Sequence, residues 1–278
     1  MNILVTGGTG HLGRATVEHL KRDGQRVRLL ARHPAEDPDV EWVHGDLSTG
    51  EGVEAAFRDM DTVIHAATNS PVARRGAFRP LDFVRSPTDV DVAGTGALLQ
   101  AAEAAAVAHF VHVSIVGLEH MARVSPYARV KLRAEELVRA SNVPWSIVRA
   151  TSFFWLFERM LAKMARRPIM LLPADVHVEP VDSDDFAGFL AASAVDGRRG
   201  AREDFAGPEA LMMRELAEQY LAARGLRKKI WNLPLPHRAT SALEAGSTSA
   251  SAIRGEKTWS TWLRESTEAS SETMSPVA

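Results

Sequence analysis

The first 150 residues alternate between two hydrophobic patterns. Short runs rich in branched side chains, Ile3-Leu4-Val5, Val27-Arg28-Leu29-Leu30, Trp42-Val43, Thr62-Val63-Ile64, Phe110-Val111-His112-Val113 and Trp145-Ser146-Ile147-Val148, have the length and near-continuous apolar character of strands buried on both faces of a sheet. Between them lie amphipathic or alanine-rich stretches, 11–23, 50–58, 94–106 and 127–141, that read as helices. This alternation predicts an α/β fold, a Rossmann-type doubly wound parallel sheet with helices on both sides. In such a sheet a ligand sits outside the carboxyl ends of the strands, where the strand order reverses.

Beyond residue 150 the pattern loosens. Residues 169–173 and 176–181 read as strands, and 183–194 as a helix opened by Ser183-Asp184-Asp185. A turn at 205–209 precedes a helix over 212–224. We divide the chain into a dinucleotide-binding core over 1–150, a smaller substrate-binding lobe over 151–265, and a polar, flexible tail over 266–278. Within the core, 69–90 is long for a connection and carries Arg74, Arg75, Arg79 and Arg85 with Phe78 and Phe83. Leaving the fourth strand on the ligand side, it reads either as a lid or as a solvated insertion.

Composition narrows the chemistry. With 33 Lys+Arg against 35 Asp+Glu, the net charge of -2 argues against nucleic acid as a partner. The absence of Cys excludes disulfides, thiolate zinc sites, iron–sulfur clusters and cysteine nucleophiles, and the ten His show no His-Glu-x-x-His spacing, so no metal is expected. No Gly-x-Ser-x-Gly elbow is present. The amino terminus lacks the basic and apolar regions of a signal peptide, and apolar stretches stop short of the ~18 residues that span a bilayer. The basic run 163–167 reads as a solvated face. A cytoplasmic protein without membrane contact, acting on a small molecule, is the expectation; the oligomeric state is left open.

Thr6-Gly7-Gly8-Thr9-Gly10-His11-Leu12-Gly13 follows the first strand and opens the first helix. Glycines at Gly7, Gly10 and Gly13 permit a tight turn, close backbone approach and close helix–strand packing. The helix start then offers N–H groups and partial positive charge to a diphosphate. Thr9, Gly10, His11 and Leu12 line that loop. The second strand ends in Ala31-Arg32-His33, where an acid would grip the ribose hydroxyls of NAD; a guanidinium at Arg32 binds a 2′-phosphate instead and points to NADP(H). Tyr127 and Lys131, four apart, share one helix face and address one pocket.

The Gly-x-x-Gly-x-x-Gly spacing resembles that of the short-chain dehydrogenases/reductases. The order Ser114, Tyr127, Lys131 has the same resemblance, which implies a catalytic role for all three. Tyr127 would donate a proton to the carbonyl oxygen that receives hydride, and Ser114 would hold that oxygen. The Lys131 ammonium would lower the phenol from its ordinary pKa near 10 and hold the nicotinamide ribose. The resemblance also implies adenine contacts at Asp46 and Leu47, a small-residue floor at Ala66 and Ala67, and a cofactor contact at Thr151. Where the main branch has Asn before the fifth strand, this chain has Asp91.

His112-Val113-Ser114-Ile115-Val116-Gly117, Ile147-Val148-Arg149-Ala150-Thr151 and Gly207-Pro208-Glu209 narrow the resemblance to the atypical, NmrA-like branch, which includes reductases and NADP-sensing regulators. Phe153, Phe154 and Trp155 follow the sixth strand and either stack on a large planar substrate or pack as a helix stripe. With Phe78 and Phe83 they suggest a polycyclic aromatic substrate, as in antibiotic-tailoring ketoreductases. The expected function is NADPH-dependent reduction of a ketone. Tyr127 is the proton donor in that reading; a substrate-derived proton or a non-catalytic NADP sensor are the alternatives.

Overall fold

The computed structural model describes residues 1–34, 37–76, 80–197 and 199–273. Six strands carry the core: β1 (Asn2–Thr6), β2 (Arg26–Ala31), β3 (Glu41–His44), β4 (Thr62–His65), β5 (His109–Ile115) and β6 (Trp145–Ala150). They lie in the order β3-β2-β1-β4-β5-β6, and every pair is parallel. Phe205–Ala206 and Ile253–Arg254 extend the sheet beyond β6. The chain steps outward from β1 to β3 and then crosses back to β4, so the reversal lies between β1 and β4.

Strand parity explains why these runs are apolar throughout. Ile3 and Val5 of β1 face a cluster with Leu12, Val17, Phe186 and Leu190, supplied by the helices His11–Arg22 and Ser183–Val195. Leu4 faces the opposite cluster with Val63, Leu98, Phe110 and Val138, supplied by Thr95–Ala104 and Pro126–Ala140. Both sides of the sheet are covered, as the alternation predicts.

The lobe after β6 has its own core. Phe154, Phe157 and Leu161 of the helix Phe154–Ala165 pack with Met213, Leu216 and Tyr220 of Met213–Ala223 and with Trp259 and Leu263. A two-stranded parallel ribbon, Ile169–Leu172 with Lys229–Asn232, closes one side. The helix Trp259–Thr273 runs into the segment read as a tail, and Arg224 donates to Ser266 and Thr267.

The 69–90 stretch holds short ordered elements. Ser70 accepts the N–H of Ala73 and Pro71 occupies the first helical position, which starts the helix Pro71–Arg75. Lys163 of the lobe donates to the Arg75 carbonyl at 3.0 Å. A 3₁₀ turn spans Pro80–Phe83 and a π-turn spans Asp89–Gly94. Phe78 and the Phe83 side chain lie outside the described residues. Among the described residues no helix is long and apolar enough to cross a membrane.

Candidate active site

The glycine loop is packed backbone against backbone. Gly7 has φ +74°, and a Cβ there would lie 2.6 Å from the Ala67 nitrogen and 2.8 Å from the Ala66 carbonyl carbon. A Cβ on Gly13 would lie 2.1 Å from the Gly7 oxygen, so the helix start touches the loop it follows. The Gly10 N–H donates to the Gly7 carbonyl at 3.0 Å and closes the turn. The helix then begins at His11 with no side-chain cap and no acid in its first turn. Its leading N–H groups face outward with nothing acidic to compete for them, a donor set that fits a diphosphate. Thr9, Gly10 and His11 are exposed, while buried Leu12 ties the helix start to the core.

Arg32 and His33 are exposed at the end of β2. Asp46 spends one carboxylate oxygen on its own turn, accepting the Ser48 N–H at 2.8 Å and the Ser48 hydroxyl at 2.7 Å. Those bonds, with the nearby Arg32 charge a smaller influence, hold its carboxyl below the usual range. Leu47 is half-buried against the backbone of Gly94.

Tyr127 and Lys131 come together on one helix face. Ser125 accepts the Ala128 N–H and Pro126 takes the first helical position, which sets Tyr127 in the first turn and Lys131 in the next. Both converge on Asp91, which the π-turn carries inward until it is 1% exposed. Asp91 accepts the Thr68 hydroxyl at 2.6 Å and the Asn69 N–H at 2.9 Å, and Lys131 Nζ lies 3.7 Å from the same carboxylate. Lys131 also donates to the Val113 carbonyl at 3.1 Å.

The direction of this chain follows from proton counting. Thr68 has one hydroxyl proton and gives it to Asp91. The 2.9 Å contact between Thr68 Oγ1 and Tyr127 Oη is therefore donated by the phenol. Tyr127 turns its proton toward Thr68, and the Ser70 hydroxyl also lies against the phenol oxygen. Burial raises the phenol above its ordinary pKa, and the Asp91 charge raises it further. The expected lowering by Lys131 is thus reversed, because burial and then the Asp91 charge act on the phenol in the opposite direction.

Ser114 is held elsewhere. It is in phase with Phe110 and His112 on β5, and its hydroxyl is sealed under the helix Pro126–Ala140 beside the Glu135 carboxylate. Burial works against that carboxylate, yet Arg149, donating at 2.9 and 2.7 Å, holds it below the usual range. The structure does not bring the Ser114 hydroxyl to the opening where Tyr127 meets Thr68. Thr151 is buried too, donating its hydroxyl to the Glu179 carbonyl at 2.6 Å and its N–H to Phe205.

Helix periodicity splits the aromatic run. Phe154 is buried on Trp259, with ring centroids 5.4 Å apart, whereas Phe153 and Trp155 stay partly exposed. Trp155 reaches across to the glycine loop and stacks on His11 at 4.5 Å and 15°, and Phe153 lies parallel to it at 6.5 Å. Burial beside Arg14 and Arg159 lowers the His11 pKa.

The sequence reading passed over Thr68 and the histidine beneath it. Buried His65 contacts Thr6 at 2.8 Å through Nδ1 and Thr95 at 2.9 Å through Nε2, bracing β1, β4 and the helix that follows Asp91. Their signal was position, since Thr68 directly continues His65-Ala66-Ala67 at the exit of β4. Among the described residues no group of His, Asp and Glu is arranged to hold a metal ion.

Comparison with known proteins agrees with this geometry. Residues 7–155 match a family described as NAD(P)H-binding. A (4-alkanoyl-5-oxo-2,5-dihydrofuran-3-yl)methyl phosphate reductase of Streptomyces griseus is 32% identical over 227 residues, 78% of this chain and 72% of its own. Photosystem II assembly factor Ycf39 of Trieres chinensis is 30% identical over 200 residues, 69% of this chain; the matched region spans 59% of that relative's length. Among solved structures, a short-chain dehydrogenase/reductase superfamily protein from Agrobacterium tumefaciens with bound NAD has a TM-score of 0.75 at 21% identity, covering 99% of this chain and 98% of its own. Triphenylmethane reductase from Citrobacter sp. has a TM-score of 0.73 at 19% identity, covering 96% and 99%; at such identities the likeness is one of fold. With its glycine loop at the sheet's reversal point and a family match over more than half its length, the chain belongs to the NAD(P)H-binding family.

Proposed function

We propose that the chain is an NADPH-dependent ketoreductase acting on a polycyclic aromatic, polyketide-type ketone. The observation that carries this reading is the exit of β4. Ala66 and Ala67 touch Gly7 of the diphosphate cradle, and the next residue, Thr68, bonds to Tyr127. Cradle and phenol thus lie on two sides of one short segment, which would put Tyr127 within reach of a dinucleotide held by the loop. NADPH bound there would supply the hydride.

The chain's own residues do the rest. Gly7, Gly10 and the first N–H groups of the helix at His11 hold the diphosphate, and Arg32 meets the 2′-phosphate. Lys131, fixed by Asp91 and the Val113 carbonyl, is positioned to hold the ribose. Phe153 and Trp155 present near-parallel rings to a planar substrate.

The proton source follows from the Tyr127–Thr68–Asp91 chain. A phenol whose proton is committed to Thr68, and whose pKa is raised, is a poor donor at neutral pH. This favours a proton delivered by an acidic hydroxyl next to the substrate carbonyl, with Tyr127 accepting a hydrogen bond and orienting it. The reductases among the relatives support the reaction class.

Fluorescence titration with NADPH and NADH tests the cofactor assignment. NADPH should bind at least tenfold tighter, and Arg32→Ala should remove that preference while leaving NADH affinity within about threefold. Equal affinities in the wild type would overturn the assignment of Arg32.

A further inference from the structure

One face of the lobe departs from the rest of the molecule. In the parallel ribbon, Lys229 lies beside Ile169 and Trp231 beside Leu171. Parity sends Met170 and Leu172 into the core and leaves Leu171, Lys229 and Trp231 on the outer side. Leu233 prolongs the ladder by donating to the Leu172 carbonyl. Trp231 is 57% exposed, Leu171 49% and Leu233 39%. A solvated sheet face ordinarily carries polar side chains; large apolar ones side by side mark a surface that meets something.

Parallel pairing has a second consequence. Both strands start at the same end, so Arg166-Arg167 and Arg227-Lys228-Lys229 are gathered there. Arg214 joins them across a groove of about 830 Å³ with Pro168, Leu221 and Ile230 in its lining and Glu218 on its wall. Among the described residues none of these six cations has an ion-pair or side-chain hydrogen-bond partner, whereas Arg28, Arg149, Arg202, Arg224 and Arg254 each reach a carboxylate. In a chain of net charge -2, that is a local positive excess placed beside an apolar face.

We propose that this face docks on an anionic lipid bilayer, with Trp231, Leu171 and Leu233 at the headgroup boundary and the six cations on lipid phosphates. A bilayer asks only for apolar area and opposite charge, which is what the ribbon offers. A second copy of the chain would bring the same cations against themselves. No helix among the described residues is long and apolar enough to cross a bilayer, but resting on one requires no such segment.

Co-sedimentation of the full chain with vesicles tests this. Phosphatidylcholine vesicles are compared with the same lipid carrying about 30% phosphatidylglycerol, at about 0.1 and 0.5 M salt. Partition should be at least tenfold higher on the anionic vesicles and should fall at least tenfold in high salt, as screening shortens the reach of the charges. The double substitution Lys228→Glu/Lys229→Glu and, separately, Trp231→Ser should each lower it at least tenfold, with unchanged melting temperature. Equal partition on both vesicles, or variants that bind like wild type, would overturn the proposal. So would binding confined to monomeric short-chain phosphatidylglycerol, or a fall in solution mass from dimer to monomer in Trp231→Ser.

Discussion

Replacing Asp91 by Asn removes one negative charge from the centre of the Tyr127 cluster while keeping its volume. The carboxylate lies 3.7 Å from Lys131 Nζ with both side chains buried. At an effective dielectric of about 20, that separation corresponds to roughly 4.5 kcal/mol of attraction. Asn can still accept from Asn69 or Thr68, and the desolvation cost of the buried carboxylate is relieved, so we expect a net loss of about 2–3 kcal/mol. Unfolding entropy near 2.1 cal/mol/K per residue then gives a fall of about 3–5 °C in melting temperature for a chain of this length. The same change should let the Tyr127 phenol ionise at lower pH, because burial remains but the Asp91 charge has gone. The chain has two tyrosines, so a Tyr220→Phe background leaves Tyr127 as the sole phenol in an ultraviolet difference titration. Melting within 1 °C of wild type together with an unmoved phenol titration would refute the assignment of Asp91 as counter-ion and proton director.

Three further outcomes follow from the geometry. Gly13→Ala drives a methyl group to 2.1 Å from the Gly7 oxygen and should weaken NADPH binding at least 100-fold by opening the loop, read by titration alongside a melting curve. Burial lowers His65 to about 3 and His109 to about 4, and puts His112 well below the ordinary imidazole value. The folded chain keeps these rings neutral while the unfolded chain protonates them below about pH 6.5, so stability is full above that pH and falls toward pH 4, by up to about 1.4 kcal/mol per unit for each ring. His112 has no hydrogen-bond partner among the described residues, and His112→Leu should flatten that slope in melting curves taken from pH 5 to 8. Because Trp155 stacks on His11 at the helix start, NADPH should quench its emission, and Trp155→Phe should remove most of that quench.

The six core strands were legible because both faces of each are covered, which makes the runs apolar without alternation. The glycine loop was legible because its spacing is a backbone requirement that side chains elsewhere do not alter. Phe205–Ala206 and Ile253–Arg254, two residues each, are too short to leave a pattern and join the sheet through tertiary pairing. Asp91 was visible as a departure, but its effect on Tyr127 depends on a π-turn that periodicity does not announce. Ser114 shows a signal that was present and not used: its parity with Phe110 and His112 places it under a helix. In the aromatic run, helical spacing separates buried Phe154 and Phe157 from Phe153 and Trp155.

The most direct test of the proposed reaction is transfer of label from NADPH deuterated at the reactive carbon to polycyclic aromatic ketones, with and without a hydroxyl beside the carbonyl. Deuterium in the product alcohol, from the hydroxyl-bearing ketones and with Tyr127→Phe within about tenfold of wild type, is the predicted result. NADPH that binds but reduces no ketone would contradict it and leave a nucleotide sensor. A loss of more than about 100-fold in Tyr127→Phe would return the proton to the phenol.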